Sequence, residues 1–201
     1  MAAGSPPPPR QAAAMSPVSH GLISWLVGEA ADIGRRGRIA VTAAGLAPDL
    51  DGLGAPVEML SGGALPWFTE YHHKVLHNGL AGVAVALAAW AWCRDRRAGL
   101  LAFAAFHLHL LCDILGSRGP DGHDWPIPYL LPFHPWEWRW DGQWRLDSWQ
   151  NLAITGAVLA AITVLALRRG RSPVELLSPR WDARVVETLR RRLGRNAAPP
   201  R

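Results

Sequence analysis

Cysteine is scarce, with two in the chain, Cys93 and Cys112, both inside apolar stretches. Two thiols are too few for a disulfide framework or a zinc ribbon, and both read as buried thiols. Charge is sparse as well. Asp, Glu, Lys and Arg make up 18% of the chain against 49% apolar residues, below the roughly 25% charge of soluble domains. Lys74 is the only lysine, so the net charge of +5 is carried by arginine. Basic chains meet nucleic acid or anionic lipid. Here the arginines stand in short clusters beside apolar segments, which points to a lipid bilayer as partner and away from nucleic acid. Strand signals are almost missing, so the fold is expected to be all-α. At 201 residues the natural expectation is one domain with a real core.

Five apolar, Ala/Leu-rich segments stand out, roughly Val18–Ile33, Ile39–Ala47, Gly79–Cys93, Ala98–Leu115 and Leu152–Leu167. Ser16-Pro17 supplies a start signal for the first, and Asp147 or Ser148 a cap for the fifth. Only the fourth and fifth reach about 17 residues, the lower limit for a spanning helix. The arginines extend the case. Arg35-Arg36-Gly-Arg38, Arg94-Asp-Arg96-Arg97 and Arg168-Arg169-Gly-Arg171 are separated by two apolar segments each time. If every segment crosses, all three clusters fall on one side, as the positive-inside rule requires. The expectation is therefore a multi-pass integral membrane bundle of about four to five apolar helices. Its external loop, residues 116–150, is rich in tryptophan: Trp125, Trp136, Trp138, Trp140, Trp144 and Trp149. Tryptophan favours the membrane–water interface.

Residues 1–17 form an Ala/Pro-rich tail expected to be disordered, with no secretory signal peptide visible. Residues 18–171 form the helical domain. Residues 172–201 are a basic tail that ends loosely in RNAAPPR. Within it, DARVVETLRRRLG can form an amphipathic helix with Val185, Val186 and Leu189 on one face, suited to a membrane surface or to a solvated tail.

The same topology gathers ionisable residues at the face opposite the arginines. His20 lies near the outer end of the first segment, and Asp49 and Asp51 follow the second. His72, His73 and His77 precede the third, and His109 and Asp113 occupy the outer half of the fourth. A buried charge without a partner costs several kcal/mol, so such groups are paired or bound to metal. His109 and Asp113, like His73 and His77, are four apart and share a helix face. Imidazole with carboxylate suits zinc, manganese or iron, and the lack of cysteine ligands favours an open catalytic site over a structural one. The expected ligands are His20, Asp49, Asp51, His72, His77, His109 and Asp113, and His73 is a further candidate for the same shell. His107 falls on a different helix face from His109, and His123 and His134 lie in the loop. Each motif alone has a bland reading, a satisfied core histidine or a common turn. Their combination carries the expectation.

The ordered motifs resemble the membrane-bound metal-dependent hydrolases, also described as LexA-binding, inner-membrane-associated hydrolases. That family shows Thr-His, Pro-Asp-x-Asp, His-Arg-x-x-Thr-His-Ser, His-x-x-x-Asp and a Trp-Pro-Phe-like stretch. Here Ser19-His20, Pro48–Asp51, His72–Asn78, His109–Asp113 and Tyr129–Phe133 occupy those places, over roughly residues 16–135. The third motif departs from the pattern: His73 replaces arginine, Leu76 threonine and Asn78 serine, with Lys74 as a substitute charge. The family is distantly similar to zinc-dependent phospholipase C and related all-α nucleases with clustered zinc. The resemblance implies a divalent metal, most simply zinc, at a multi-pass inner-membrane protein that hydrolyses phosphoester or lipid substrates. Asp49 or Asp51 would then be a bridging ligand or the base that orients water. Two rivals use the same His/Asp row, a metal-ion or proton transporter and a haem-binding membrane protein. Carboxylates beside the histidines disfavour haem, and their concentration at one end disfavours transport.

Overall fold

The computed structural model describes residues 17–119, 122 and 124–193. The Ala/Pro-rich tail up to Ser16, His123 and the end of the chain from Gly194, with the expectations attached to them, lie outside the described residues. Among those residues the chain is all-helical. α1 covers Pro17–Gly28, α2 Gly34–Leu46, α3 Gly54–Leu60 and α4 Trp67–Tyr71. α5 covers Gly79–Cys93, α6 Arg96–Gly116, α7 Trp149–Arg169 and α8 Pro179–Leu193. Two 3-10 turns, Pro48–Leu53 and Pro173–Leu176, precede α3 and α8.

Boundaries follow local chemistry. Asn78 caps α5 by accepting from Ala81 N at 2.9 Å, and Asp95 caps α6 by accepting from Arg97 N at 2.8 Å. Gly170, in the left-handed region, ends α7. The first apolar segment stops early, at Gly28, and the second begins at Gly34, so Arg35, Arg36 and Arg38 fall inside α2.

α6 is the central helix. It packs against α1, α2 and α5, with Ala98, Ala102, Ala105, Phe106 and Leu110 buried along it. α7 packs at the side and buries only Asn151, Ile162 and Ala166. Close approach is built from small residues: a Cβ on Gly45 of α2 would lie 1.8 Å from Ser24 Oγ of α1.

Two helices, α6 and α7, are long and apolar enough to cross a bilayer, fewer than the four to five expected. The reason is length. At about 1.5 Å per residue, α1 with 12 residues, α2 with 13 and α5 with 15 fall well short of a core about 30 Å thick.

The first and third arginine clusters meet at one end of the bundle, and the first also reaches the end of α5. Arg38 pairs with Glu29 at 3.2 Å and with Glu175 at 2.5 Å. Arg169 and Arg171 reach Glu29 at 2.8 and 2.9 Å. Arg36 stacks on Trp92 of α5. The basic tail is drawn into this network through Glu175, which also accepts from Trp25 Nε1. Asp182 of α8 accepts from Ser172, and Val186 is buried, whereas Trp181 and Val185 stay exposed.

Candidate metal centre

Four separate parts of the chain bring ionisable side chains to the end opposite the arginines. α1 supplies His20, the turn after α2 supplies Asp49 and Asp51, the segment between α4 and α5 supplies His72, His73 and His77, and α6 supplies His109 and Asp113. His20, His73, His77, His109 and Asp113 are buried, Asp49 is half-buried, and the Asp51 carboxylate is 1% exposed.

The hydrogen bonds fix which atoms remain free. His109 Nδ1 lies 2.8 Å from the carbonyl of Gly45, which can only accept, so this nitrogen carries the proton. Nε2 faces Asp113 Oδ2 at 3.0 Å and Asp49 Oδ1 at 3.7 Å. His77 repeats the pattern. Its Nδ1 donates to Asp51 Oδ2 at 2.9 Å, and Nε2 faces Asp113 Oδ2 at 3.4 Å. His20 Nε2 approaches the other oxygen, Asp113 Oδ1, at 3.4 Å, its ring stacked on His109. His77 Nε2, His109 Nε2 and Asp113 Oδ2 are buried without a well-formed hydrogen bond. Lone pairs that face one another in a dry site require a proton or a cation between them.

Three overlapping groups could hold an ion, with each group's ligand atoms within 4.8 Å of one another: His20, His109 and Asp113; Asp49, His77 and His109; and His73, His77 and Asp113. Asp51 and His72 belong to none of them. Asp51 stands one layer behind, where Oδ1 accepts from His72 Nδ1 at 2.8 Å and Oδ2 accepts from His77 Nδ1 and from Leu76 N at 3.2 Å. Carboxylates placed so fix the tautomer and orientation of ligand histidines. Burial works to raise the Asp51 carboxyl, but the bonds from His72 and His77 outweigh it and hold it well below the usual carboxylate range. Burial lowers His77 too, yet the neighbouring Asp113 and Asp51 carboxylates push it up to about 9. Burial, reinforced by the neighbouring His77, keeps His73 well below its ordinary value.

His73, which the sequence left open as a further member of the shell, joins one of the three groups. It adopts a left-handed backbone (φ 64), stacks on His77 with ring centroids 4.2 Å apart, and leaves Nδ1 buried and unpartnered. Its replacement of arginine in the family pattern was the available signal. His107 is otherwise engaged: Nδ1 donates to Phe103 O at 2.9 Å, so Nε2 accepts from Tyr129 OH at 2.9 Å. His134 is exposed and accepts from Trp136 N, and Cys93 and Cys112 are free thiols.

Three supports were not read from the sequence, two of them far along the chain from the residue they hold. Gly45 offers its carbonyl to His109, Ser117 Oγ donates to Asp113 Oδ1 at 3.0 Å, and Gln143 Nε2 donates to the Asp113 carbonyl at 2.8 Å. Trp125, from the loop between α6 and α7, packs against the rings of His72 and His73. The two other departures leave their bonds intact. Leu76 acts through its backbone N–H, and Asn78 caps a helix as serine can.

No curated protein and no solved structure matches the chain. Residues 15–179 match the family described as the YdjM inner membrane protein, a span that contains the whole His/Asp cluster, both bilayer-length helices and the three arginine clusters. By that match the chain belongs to the YdjM inner membrane protein family.

Proposed function

We propose that the protein is a membrane-embedded, metal-dependent hydrolase of phosphoesters. One observation carries the reading: His77 Nε2, His109 Nε2 and Asp113 Oδ2 converge in a buried site with no hydrogen-bond partner, and each histidine has its other nitrogen committed elsewhere. Imidazole and carboxylate without thiolate suit zinc, with manganese and iron next. His20, Asp49, His73, His77, His109 and Asp113 would hold the metal, and Asp51 would orient His77 from behind. A divalent ion there supplies Lewis acidity toward a phosphoryl oxygen and an activated water nucleophile.

The chain's own residues do the rest. Asp113 presents Oδ1 to His20 and Oδ2 to His77 and His109, and so ties the three histidines together. Asp49 is the cluster's more open carboxylate, with a side chain 21% exposed and Oδ2 unpartnered. It is placed to take the proton from an attacking water. Trp125 closes the His72–His73 side.

The test is elemental mass spectrometry on protein purified in detergent without chelator, wild type beside His109→Ala and Asp113→Ala. Zinc, manganese or iron bound to wild type and lost in both variants supports the reading, and hydrolysis of p-nitrophenyl phosphoesters by the loaded protein completes it. Folded, metal-free wild type overturns it.

A further inference from the structure

The segment that carries Asp49 and Asp51 also carries an apolar surface that the metal site does not use. A 3-10 helix repeats every three residues, so Leu50 and Leu53 share one edge of the turn Pro48–Leu53. Both are exposed, while the two aspartates between and beside them turn toward the histidines. The exposed apolar side chains continue through α3 and α4. Met59 is 75% exposed, Leu60 84% and Trp67 47%. Neither helix buries a residue.

Charge does not offset this exposure. From Gly52 to Thr69 the sole ionisable residue is Glu58, and its carboxylate is occupied by Thr69 N at 2.9 Å and Thr69 Oγ1 at 2.7 Å. The two short helices are packed closely, since a Cβ on Gly54 would meet Phe68 N at 2.8 Å. Between them lies an open recess of about 330 Å³ whose wall includes Ala55, Met59 and Phe68. Phe68 stacks on His72 with centroids 4.5 Å apart, and His72 is bonded to Asp51. The recess and the candidate metal cluster are therefore joined through three contacts, Phe68–His72, His72–Asp51 and Asp51–His77.

Contiguous exposed apolar surface marks an interaction site. A water-soluble phosphoester has no use for one, and in an inner-membrane protein the adjacent apolar matter is lipid. The bilayer-length helices α6 and α7 end and begin at this same end of the bundle, at Gly116 and Trp149. We infer that the α3–α4 segment docks the acyl chains of a lipid phosphoester and delivers its head group to the His/Asp cluster. Substrate then enters from the bilayer and not from water. The inference rests on the hydrolase reading for the fate of the head group. The docking of the chains is separately measurable.

The experiment uses full-length protein in nanodiscs, wild type beside a Met59→Gln/Leu60→Gln variant whose changes are exposed and leave packing intact. Metal content is read first and is expected to be equal. Hydrolysis of p-nitrophenyl phosphate is expected to be unchanged, while kcat/KM for dioleoyl phosphatidic acid falls tenfold or more. Equal rates on both substrates, or equal loss on both, overturn the inference. If metal-loaded wild type hydrolyses neither, the hydrolase reading fails by itself, and docking is decided by phosphatidic acid with a photoactivatable acyl chain. Labels on residues 53–67 that fall in the variant support docking. Labels confined to the groove between α5 and α6, lined by Val83, Leu87, Trp90 and Phe103, overturn it.

Discussion

Asp51→Asn isolates the role of the carboxylate behind the histidines. The wild-type carboxylate accepts three hydrogen bonds, from His72 Nδ1, His77 Nδ1 and Leu76 N. Asparagine keeps one accepting oxygen and puts an NH2 donor in place of the other. One histidine therefore loses its acceptor and meets a donor, and its favoured tautomer reverses. If that histidine is His77, the lone pair leaves Nε2 and the cation site loses a ligand atom. A hydrogen bond to a charged group is worth about 1.5–3 kcal/mol net. Loss of a carboxylate behind a metal-ligand histidine typically lowers metal affinity about 10- to 100-fold, or about 1.4–2.7 kcal/mol. The two estimates agree for the loss of one bond, not of all three. Zinc affinity measured by chelator competition should therefore fall by one to two decades, with stoichiometry retained at saturating zinc. Asp113→Asn should abolish binding outright. Unchanged affinity in Asp51→Asn would refute the layered arrangement. So would loss as complete as in Asp113→Asn, which would make Asp51 a direct ligand.

Gly45→Ala places a methyl group on Ser24 Oγ and displaces the carbonyl that orients His109. Overpacking should cost about 1–3 kcal/mol, read as a lower Tm in detergent that a Ser24→Gly/Gly45→Ala double variant partly restores. Asn78→Ala should lower stability by about 1 kcal/mol through loss of the α5 cap, while Asn78→Ser stays near wild type; chemical denaturation ranks the three. Glu58 is held below its ordinary 4.5 by its bonds from the Thr69 backbone and hydroxyl. A depressed folded pKa gives stability that is present above 4.5 and lost as pH falls below it. Amide exchange over residues 54–69 should then quicken relative to α6 at pH 4 and below, and Glu58→Gln should flatten that dependence. A pH-independent wild type would dismiss the Glu58–Thr69 link as the tie between α3 and α4.

The helices were readable wherever apolar residues ran on without interruption. α5 was expected at Gly79–Cys93 and occurs there, and α6 and α7 extend their expected segments by one to three residues at either end. α3 and α4 were not readable. Seven and five residues give no helical period, and Gly62 and Gly63 break the stretch between them. The number of bilayer-length helices was overestimated because alternating arginine clusters are equally satisfied by short helices that run to and fro within one bundle. The first and third clusters do meet, but their meeting reports antiparallel packing, which α1, α2 and α5 achieve with 12 to 15 residues each.

What the sequence determined by itself was local: helix identity, the shared face of His109 and Asp113, and the segregation of arginine from His/Asp along the chain. Those follow from spacing and from the 3.6-residue period, which act within one helix. Only the tertiary structure decided which carboxylate faces the proposed cation site and which stands behind it. Asp49 and Asp51 sit two residues apart in one turn, yet Asp49 meets His109 on α6 while Asp51 takes the protons of His72 and His77. Those partners lie 21 to 60 residues away, and the roles are set by contacts across that separation. Likewise His73 enters the cluster through a left-handed backbone that its neighbours impose, and Gly45 serves His109 through a carbonyl that any residue would possess. Side-chain type and spacing propose the ligands; the packing of α1, α2 and α6 around them selects the lone pairs.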